Sequence, residues 1–240
     1  MSTRAVLVHG AWHDGRCWAP VLAELAAAGH DAVAVDLPSH RPGAGTDDYV
    51  DAVVAAAGPA GRVVLVGHSL GGLTVPVVAQ RLGTERVAAL VLVAALVPLP
   101  GTSWHARTRA EPGIMAEGFG RGQLRHDDGT TSWPVEAAVE NLYAGVAEEA
   151  SPAVVREAVG TLRPQDWTVT REVGPLSAWP AVRTVQVVCA ADRVVDPRWG
   201  RTGAVVPGAE VVEMAGGHFP MLTRPAELAR LIGEELRRDG

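Results

Sequence analysis

The stretch VVLVGHSLGG, residues 63–72, places a serine between two glycines directly after an apolar run. Residues 63–66 are continuously apolar, which is typical of a strand buried on both faces, and helical spacing of apolar residues continues from Leu70 to Leu82. Ser69 is therefore the centre of a G-x-S-x-G sequence at a strand-to-helix turn. The glycines let strand and helix approach without Cβ clashes. This context favours a nucleophilic serine over a turn that binds an anion at a helix start.

The same alternation of strand and helix patterns extends along the chain. Short Val, Leu and Ala runs bounded by turn residues indicate parallel strands joined by crossover helices. Strands are predicted at Ala5–Val8, Ala32–Val35, Val63–Val66, Leu90–Ala94, Val185–Cys189 and Glu210–Glu213. Helices are predicted at Trp18–Ala28, Asp47–Ala57, Leu70–Leu82 and Pro225–Arg237. The predicted fold class is α/β, with a mostly parallel sheet of about six strands and helices on both faces.

The alternation stops between Pro98 and Trp179, where Pro, Gly and Trp are frequent and no strand is evident. We interpret residues 98–179 as an insertion and residues 1–97 and 180–240 as the core domain. Helical segments are predicted within the insertion at Val135–Ala147 and Pro152–Leu162. Four of the seven tryptophans lie inside this segment or at its edge, namely Trp104, Trp133, Trp167 and Trp179.

Composition excludes several classes of function. Of the 240 residues, 48% are hydrophobic and 20% are charged, which is typical of a globular chain with a substantial core. The formal charge is −6 and no long run of like charge occurs, so nucleic acid is not an expected partner. All 21 basic residues are arginine. The absence of lysine excludes Schiff-base catalysis, a P-loop and tethered pyridoxal phosphate.

The spacing of the cysteines and the lengths of the apolar runs indicate which cofactors and which cellular location to expect. Cys17 and Cys189 lie far apart without C-x-x-C spacing, so neither a disulfide framework nor a zinc site is expected. No other cofactor is expected. The apolar run before His9 is too short for a signal peptide, and the run from Val87 to Val97 is too short to cross a membrane. We expect a cytoplasmic monomer or homodimer whose partner is a small-molecule ester.

The nucleophile requires a base that takes its proton and a carboxylate that orients this base. Of the eight histidines, His218 lies in AGGHFP, residues 215–220, between the last predicted strand and the last helix. This position brings His218 to the same sheet edge as Ser69, whereas most of the other histidines lie in polar loops. His218 is therefore the predicted base.

Two carboxylates follow the strand Val185–Cys189. Asp192 lies nearer the strand end, and Asp196, directly before Pro197, has the position of a helix N-cap. Asp192 is predicted to orient the base, with Asp196 as the alternative. The chain order Ser, Asp, His is the order that accompanies a G-x-S-x-G turn.

Two backbone N–H groups are needed to stabilise negative charge on the substrate carbonyl. One is predicted at Leu70, where the helix after the serine begins. The other is predicted at Ala11, in HGAW, residues 9–12, which follows the first strand. Gly10 lets this backbone pass close to the serine turn, and His9 is expected to brace the loop rather than to react.

Three motifs together resemble the α/β-hydrolase superfamily. They are VHGAWH at residues 8–13 with Cys17-Trp18 behind it, GHSLGG at residues 67–72 and GHFPML at residues 217–222. They are most similar to the small branch of plant methyl esterases, hydroxynitrile lyases and their bacterial relatives. The resemblance covers the chain outside the insertion, and implies that the insertion is a cap over the active site. It implies the same catalytic and oxyanion-hole roles for Ser69, Asp192, His218, Ala11 and Leu70.

Two departures from the branch bear on the substrate. The branch often carries Gly-Ala-Trp after its second histidine, where this chain has Asp14-Gly15-Arg16, and these charges are expected near the mouth of the site. The lyases carry a threonine at the position of Gly10 and a lysine at that of Phe219. The cation that stabilises cyanide in those lyases is therefore missing here.

The predicted function is hydrolysis of a carboxylic ester, lactone or thioester of an apolar or aromatic small molecule through an acyl-enzyme. The expected group is bulky and uncharged or weakly polar, and the residues expected to contact it are Trp12, His13, Trp104, Trp133 and Phe219. The alternative is a non-hydrolytic cyclase or lyase of bacterial secondary metabolism on the same fold. A nucleotide-dependent oxidoreductase is excluded, because the first turn lacks G-x-G-x-x-G.

Overall fold

A six-stranded parallel sheet forms the centre of the computed structural model, which describes residues 3–202, 206 and 208–238. The strands of these residues are β1 Thr3–Val8, β2 Ala32–Val35, β3 Arg62–His68, β4 Val87–Val93, β5 Leu124–Arg125, β6 Thr131–Ser132, β7 Arg183–Cys189 and β8 Glu210–Met214. The sheet has the order β2-β1-β3-β4-β7-β8, and all its neighbouring pairs are parallel. The predicted α/β fold class is confirmed.

Helices pack over the sheet in two pairs, α1 with α11 and α2 with α3. The helices of the described residues are α1 Ala19–Ala27, α2 Thr46–Ala57, α3 Val75–Leu82, α4 Trp104–Ala110, α5 Val135–Ala137, α6 Val146–Glu149, α7 Pro152–Gly160, α8 Thr168–Arg171, α9 Pro197–Arg201, α10 Pro220–Thr223 and α11 Pro225–Arg238. Successive residues of β3 and β4 are buried, so both faces of the sheet are covered at its centre. In the part of the chain described, no helix combines the length and apolar character that a membrane span requires.

The helix predicted over Leu70–Leu82 is divided into two pieces. A 3-10 turn spans Ser69–Leu73, and α3 follows it. Gly71 and Gly72 have low helix propensity, and Pro76 has no N–H to donate to the preceding turn. Ser69 is the first residue of this tight turn.

The segment 98–179 contains two features that differ from the predictions. The hairpin of β5 and β6 occupies a region where no strand was expected, and its turn contains Gly129 at φ +84°. The helix predicted over Val135–Ala147 is interrupted, because a π turn spans Ala138–Leu142 and Gly145 has φ +92°. A left-handed residue cannot continue a right-handed helix.

The carboxyl ends of β1, β3, β7 and β8 lie at one edge of the sheet. The segments that follow these strands carry Ala11, Ser69, Asp192 and His218, respectively. Ligand sites of parallel α/β sheets occur at this edge. The fold therefore brings the predicted site residues to a common place.

Candidate active site

Ser69 follows β3 directly and has a left-handed backbone conformation, with φ +49°. This conformation is strained for a residue with a Cβ atom. The close approach of the turn to β1 depends on Gly71, where an added Cβ would lie 2.7 Å from the carbonyl oxygen of His9. The serine thus has the strained strand-to-helix turn that the G-x-S-x-G sequence predicts.

His218 and Asp192 form a buried pair. Nδ1–H of His218 donates to Oδ2 of Asp192 at 2.8 Å. The other carboxylate oxygen of Asp192 accepts the N–H groups of Val194 at 2.7 Å and Val195 at 3.0 Å. These bonds fix the carboxylate, and the carboxylate holds the proton of the neutral imidazole on Nδ1. Nε2 of His218 can therefore accept a proton.

Asp196 has a different environment. Its side chain accepts the N–H of Arg198 at 2.8 Å and caps α9, as its place before Pro197 predicts. The guanidinium of Arg198 lies 2.6 Å from the carboxylate and lowers the pKa of Asp196. The residue in contact with His218 is Asp192.

One cavity of about 570 Å³ brings the site residues together. Ser69 and His218 line it, and so do Ala11 and Leu70, which were predicted to supply the oxyanion donors. Among the described residues, no hydrogen bond joins Ser69 to His218. Such bonds are often long until substrate binds and tighten in the reactive complex. The arrangement is suited to attack on a carbonyl group held in the cavity.

The loop that carries Ala11 is braced by His9. Nδ1–H of His9 donates to the carbonyl of Gly10 at 2.8 Å, and Nε2 accepts the N–H of Leu37 at 3.0 Å. The carbonyl and N–H of a trans peptide point in opposite directions, so fixing the Gly10 carbonyl also fixes the Ala11 N–H. A Cβ on Gly10 would lie 2.9 Å from Cβ of Ser69. Glycine is therefore needed for this approach.

A second buried histidine holds the next peptide of this loop. Nδ1–H of His13 donates to the carbonyl of Ala11 at 2.6 Å, and Nε2 accepts the hydroxyl of Tyr143 at 2.7 Å. Trp12, with φ +63°, donates its N–H to Oε1 of Gln165 at 3.2 Å. The Ala11–Trp12 peptide is thus held at both its carbonyl and its N–H.

Burial keeps these histidines neutral. It lowers the pKa of His9 and of His13 to about 4, against an ordinary value of 6.5, and it lowers the pKa of His68 well below that value. Nε2–H of His68 donates to the carbonyl of His218 at 2.8 Å. Neutral histidines suit these bonds, because His9 and His13 each use one ring nitrogen as an acceptor.

Acid should therefore destabilise the fold in a defined pH range. Histidines of the unfolded chain gain protons near pH 6.5, whereas buried His9 and His13 resist protonation until about pH 4. These two histidines add no pH dependence to the free energy of unfolding above this range. Inside it they lower the free energy of unfolding as pH falls, by up to about 1.4 kcal/mol per pH unit for each histidine. Urea unfolding between pH 7.5 and 4.5 measures how the free energy of unfolding changes with pH. His13→Gln should reduce this change. Equal stability at pH 7 and pH 5 would contradict this.

The residues predicted to contact substrate divide into two groups. Trp12, Trp104 and Phe219 line the cavity. In the described part of the chain, the lining does not include His13 or Trp133. Trp133 packs edge-on against Trp12, with ring centroids 5.4 Å apart. His13 and Trp133 therefore support residues of the lining rather than forming it.

Thr131, which no sequence motif marks, organises one wall of the cavity. Its hydroxyl oxygen accepts the indole N–H of Trp12 at 3.0 Å and that of Trp167 at 2.9 Å, and all three residues line the cavity. No motif marks Gln165 either. Both residues lie in the segment 98–179, which has no motif or regular periodicity from which their contacts could be predicted.

The charges expected near the mouth of the site lie elsewhere. Asp14 is buried and caps the 3-10 turn Gly15–Trp18, and Arg16 pairs with its carboxylate at 2.6 Å. Among the described residues, neither side chain lines the cavity. Asp14 accepts the N–H of Arg16, and this local capping bond accounts for its inward position.

Comparisons with known proteins agree with this geometry. The family model for the alpha/beta hydrolase family matches residues 5–231. The chain is 32% identical to rice (Oryza sativa subsp. japonica) Esterase PIR7B, over 95% of this chain and 93% of the rice protein. It is 30% identical to the Carbendazim hydrolyzing esterase of Nocardioides sp. (strain SG-4G), over 95% and 97% of the two chains. A structure of a mutant tomato Methylketone Synthase I, 19% identical, covers 100% of both chains with a TM-score of 0.81.

Proposed function

The chain belongs to the alpha/beta hydrolase family, as its motifs predicted, and from this premise we propose that it hydrolyses carboxylic esters of apolar or aromatic small molecules. Ser69 is the nucleophile and the intermediate is an acyl-enzyme. The observation that carries the proposal is the buried bond between His218 and Asp192 at the cavity that Ser69 lines. Relatives named as esterases, at 30% and 32% identity, support the reaction class.

Acylation begins when Oγ of Ser69 attacks the ester carbonyl and its proton passes to Nε2 of His218. Asp192 stabilises the resulting imidazolium. The N–H groups of Ala11 and Leu70 donate to the carbonyl oxygen as it gains negative charge. The tetrahedral intermediate then expels the alcohol, which takes the proton from His218, and the acyl group remains on Ser69.

Deacylation repeats these proton transfers with water as the nucleophile. His218 takes a proton from water, and the hydroxyl attacks the acyl carbonyl within the same oxyanion site. Collapse of the second tetrahedral intermediate releases the carboxylic acid and returns the proton to Ser69. In both halves of the reaction, His218 is the base, Asp192 orients it, and the N–H groups of Ala11 and Leu70 are the oxyanion donors.

The segment 98–179 acts as a cap over the site. Of the described residues that line the cavity, more than half come from this segment, and its apolar members include Trp104, Met115, Phe119, Leu142 and Trp167. Exclusion of water by such a cap strengthens the electrostatic interactions of the oxyanion site. The apolar side chains also supply surface for an acyl or alcohol group.

Truncation of the lining tryptophans should impair binding of bulky substrates selectively. Trp104→Ala and Trp167→Ala are expected to raise KM for a naphthyl or phenyl ester about tenfold, because each removes a large apolar contact. The rate on a small acetate ester should change much less. Trp179→Ala is the matched control, since its indole N–H donates to Thr184 and it is not among the described lining residues.

These steady-state measurements distinguish two roles of the aromatic side chains. A change in KM confined to the bulky ester supports a substrate contact. Equal losses on both esters for Trp104→Ala and Trp167→Ala would show that these side chains hold the cap in place and do not select the substrate.

The proposed reaction is tested with a panel of acyl-chain-length esters, aromatic methyl esters and lactones. The purified protein should release equal amounts of acid and alcohol from the esters and a hydroxy acid from the lactones, with the best kcat/KM on an aromatic or long-chain ester. Formation of a covalent adduct at Ser69 without turnover of any ester in the panel would argue against hydrolysis. That result would favour the cyclase or lyase alternative.

A further inference from the structure

The charge of the cavity lining is opposite to the charge of the chain. The chain has 27 acidic and 21 basic residues. The formally charged residues that line the cavity are Arg125 and Arg171, and the described lining contains no Asp or Glu. The formal charge of the described lining is therefore positive, in a chain whose formal charge is negative.

Both arginines line the cavity and are exposed to solvent, and we call the part of the lining that they form the rim. Arg125 is in β5, Arg171 is the last residue of α8, and both side chains are exposed. The buried Leu142 and half-buried Met115 and Phe119 line the same cavity. The lining thus combines an apolar wall with two cations at its rim.

Neither guanidinium is engaged by the protein. Within the described residues, the guanidinium groups of Arg125 and Arg171 have no ion-pair or hydrogen-bond partner. The acidic residue next to Arg171 is used elsewhere, since the carboxylate of Glu172 accepts the N–H and the hydroxyl of Thr46, both at 2.8 Å. The donors of both arginines are available to a ligand.

We infer that the substrate carries a carboxylate, distant from the ester bond, that binds Arg125 and Arg171 at the rim. This inference rests on the proposed function and specifies its substrate class. A guanidinium matches the geometry of a carboxylate with two parallel N–H donors. The substrate is then an ester with an apolar body against the aromatic wall and an anionic end at the rim. This revises the expectation of an uncharged group.

The test compares pairs of substrates that differ in one charge. Monomethyl esters of linear dicarboxylic acids of increasing length are each measured against the corresponding dimethyl ester at pH 7.5 and low ionic strength. At the chain length that spans from Ser69 to the rim, kcat/KM should be about tenfold higher for the monoester, mainly through KM. Added salt at 0.5 M should reduce this ratio, because it screens exposed charges.

Variants assign the selectivity to the two arginines. In R125Q/R171Q, the ratio of kcat/KM for monoester over diester should fall to about one. R125K/R171K keeps both charges and should retain part of the ratio. Arg156→Gln changes an exposed arginine of α7 that is not among the described lining residues, and it should keep the wild-type ratio.

The outcomes separate this inference from the proposed function. Two results would overturn the carboxylate site and leave ester hydrolysis intact. One is cleavage of diesters as fast as monoesters at every chain length. The other is a wild-type ratio of kcat/KM for monoester over diester in R125Q/R171Q. Failure to cleave either series, together with no fluorophosphonate adduct on Ser69, overturns the proposed function and this inference with it.

Discussion

Ser69→Ala is expected to lower kcat for ester hydrolysis by about 10⁶-fold, and His218→Ala by a similar factor. The double variant should be scarcely slower than either single variant, because neither residue can act without the other. An unactivated hydroxyl is a weak nucleophile, and a base without the hydroxyl has no proton to take. The remaining activity comes from binding and the oxyanion donors alone.

The hydrolysis rate of each variant is measured with the best ester of the panel, under single-turnover and steady-state conditions. Thermal unfolding shows whether each variant keeps the wild-type fold. His40→Ala is a matched control, since His40 is exposed in a polar loop and should keep the wild-type rate. Multiplicative losses in the double variant would show that Ser69 and His218 act independently.

Asp192→Asn should lower kcat by roughly 10⁴-fold with little change in stability. The asparagine amide can donate to Nδ1 of His218, which places the imidazole proton on Nε2 and prevents this nitrogen from accepting the serine proton. Asp196→Ala should instead cost about 1 kcal/mol of unfolding free energy, because it removes the N-cap of α9, and should leave kcat nearly unchanged.

Both aspartates are compared by kcat on one ester and by urea unfolding. The bond of 2.8 Å between His218 and Asp192 predicts that the loss of rate belongs to Asp192 alone. A wild-type rate in Asp192→Asn, or a 10⁴-fold loss in Asp196→Asn, would contradict the assignment of the orienting acid.

The sheet and the positions of the catalytic candidates could be predicted from sequence because local rules govern them. Continuous apolar runs mark buried parallel strands, and a serine between glycines after such a run has few conformations open to it. His218 was placed by its position between the last strand and the last helix. The choice of Asp192 over Asp196 depended on the path of one loop, which the structure fixes through the N–H groups of Val194 and Val195.

The segment 98–179 could not be predicted because its structure depends on contacts between distant residues. Gln165 accepts the N–H of Trp12 from 153 positions away, and Tyr143 donates to His13 from 130 positions away. The spacing of residues within the segment does not predict hydrogen bonds between such distant residues. The cationic rim of Arg125 and Arg171 likewise arises only when the hairpin and α8 reach the same cavity.

The central claim, that Ser69 is the nucleophile of an ester hydrolase, is tested most directly by the intact mass of the protein after reaction with a fluorophosphonate. Wild-type protein should gain one phosphonyl increment, which peptide mapping places on Ser69, while its esterase activity is lost in parallel. Ser69→Ala should gain none. Labelling of Ser69→Ala to the same extent as wild type would contradict the claim.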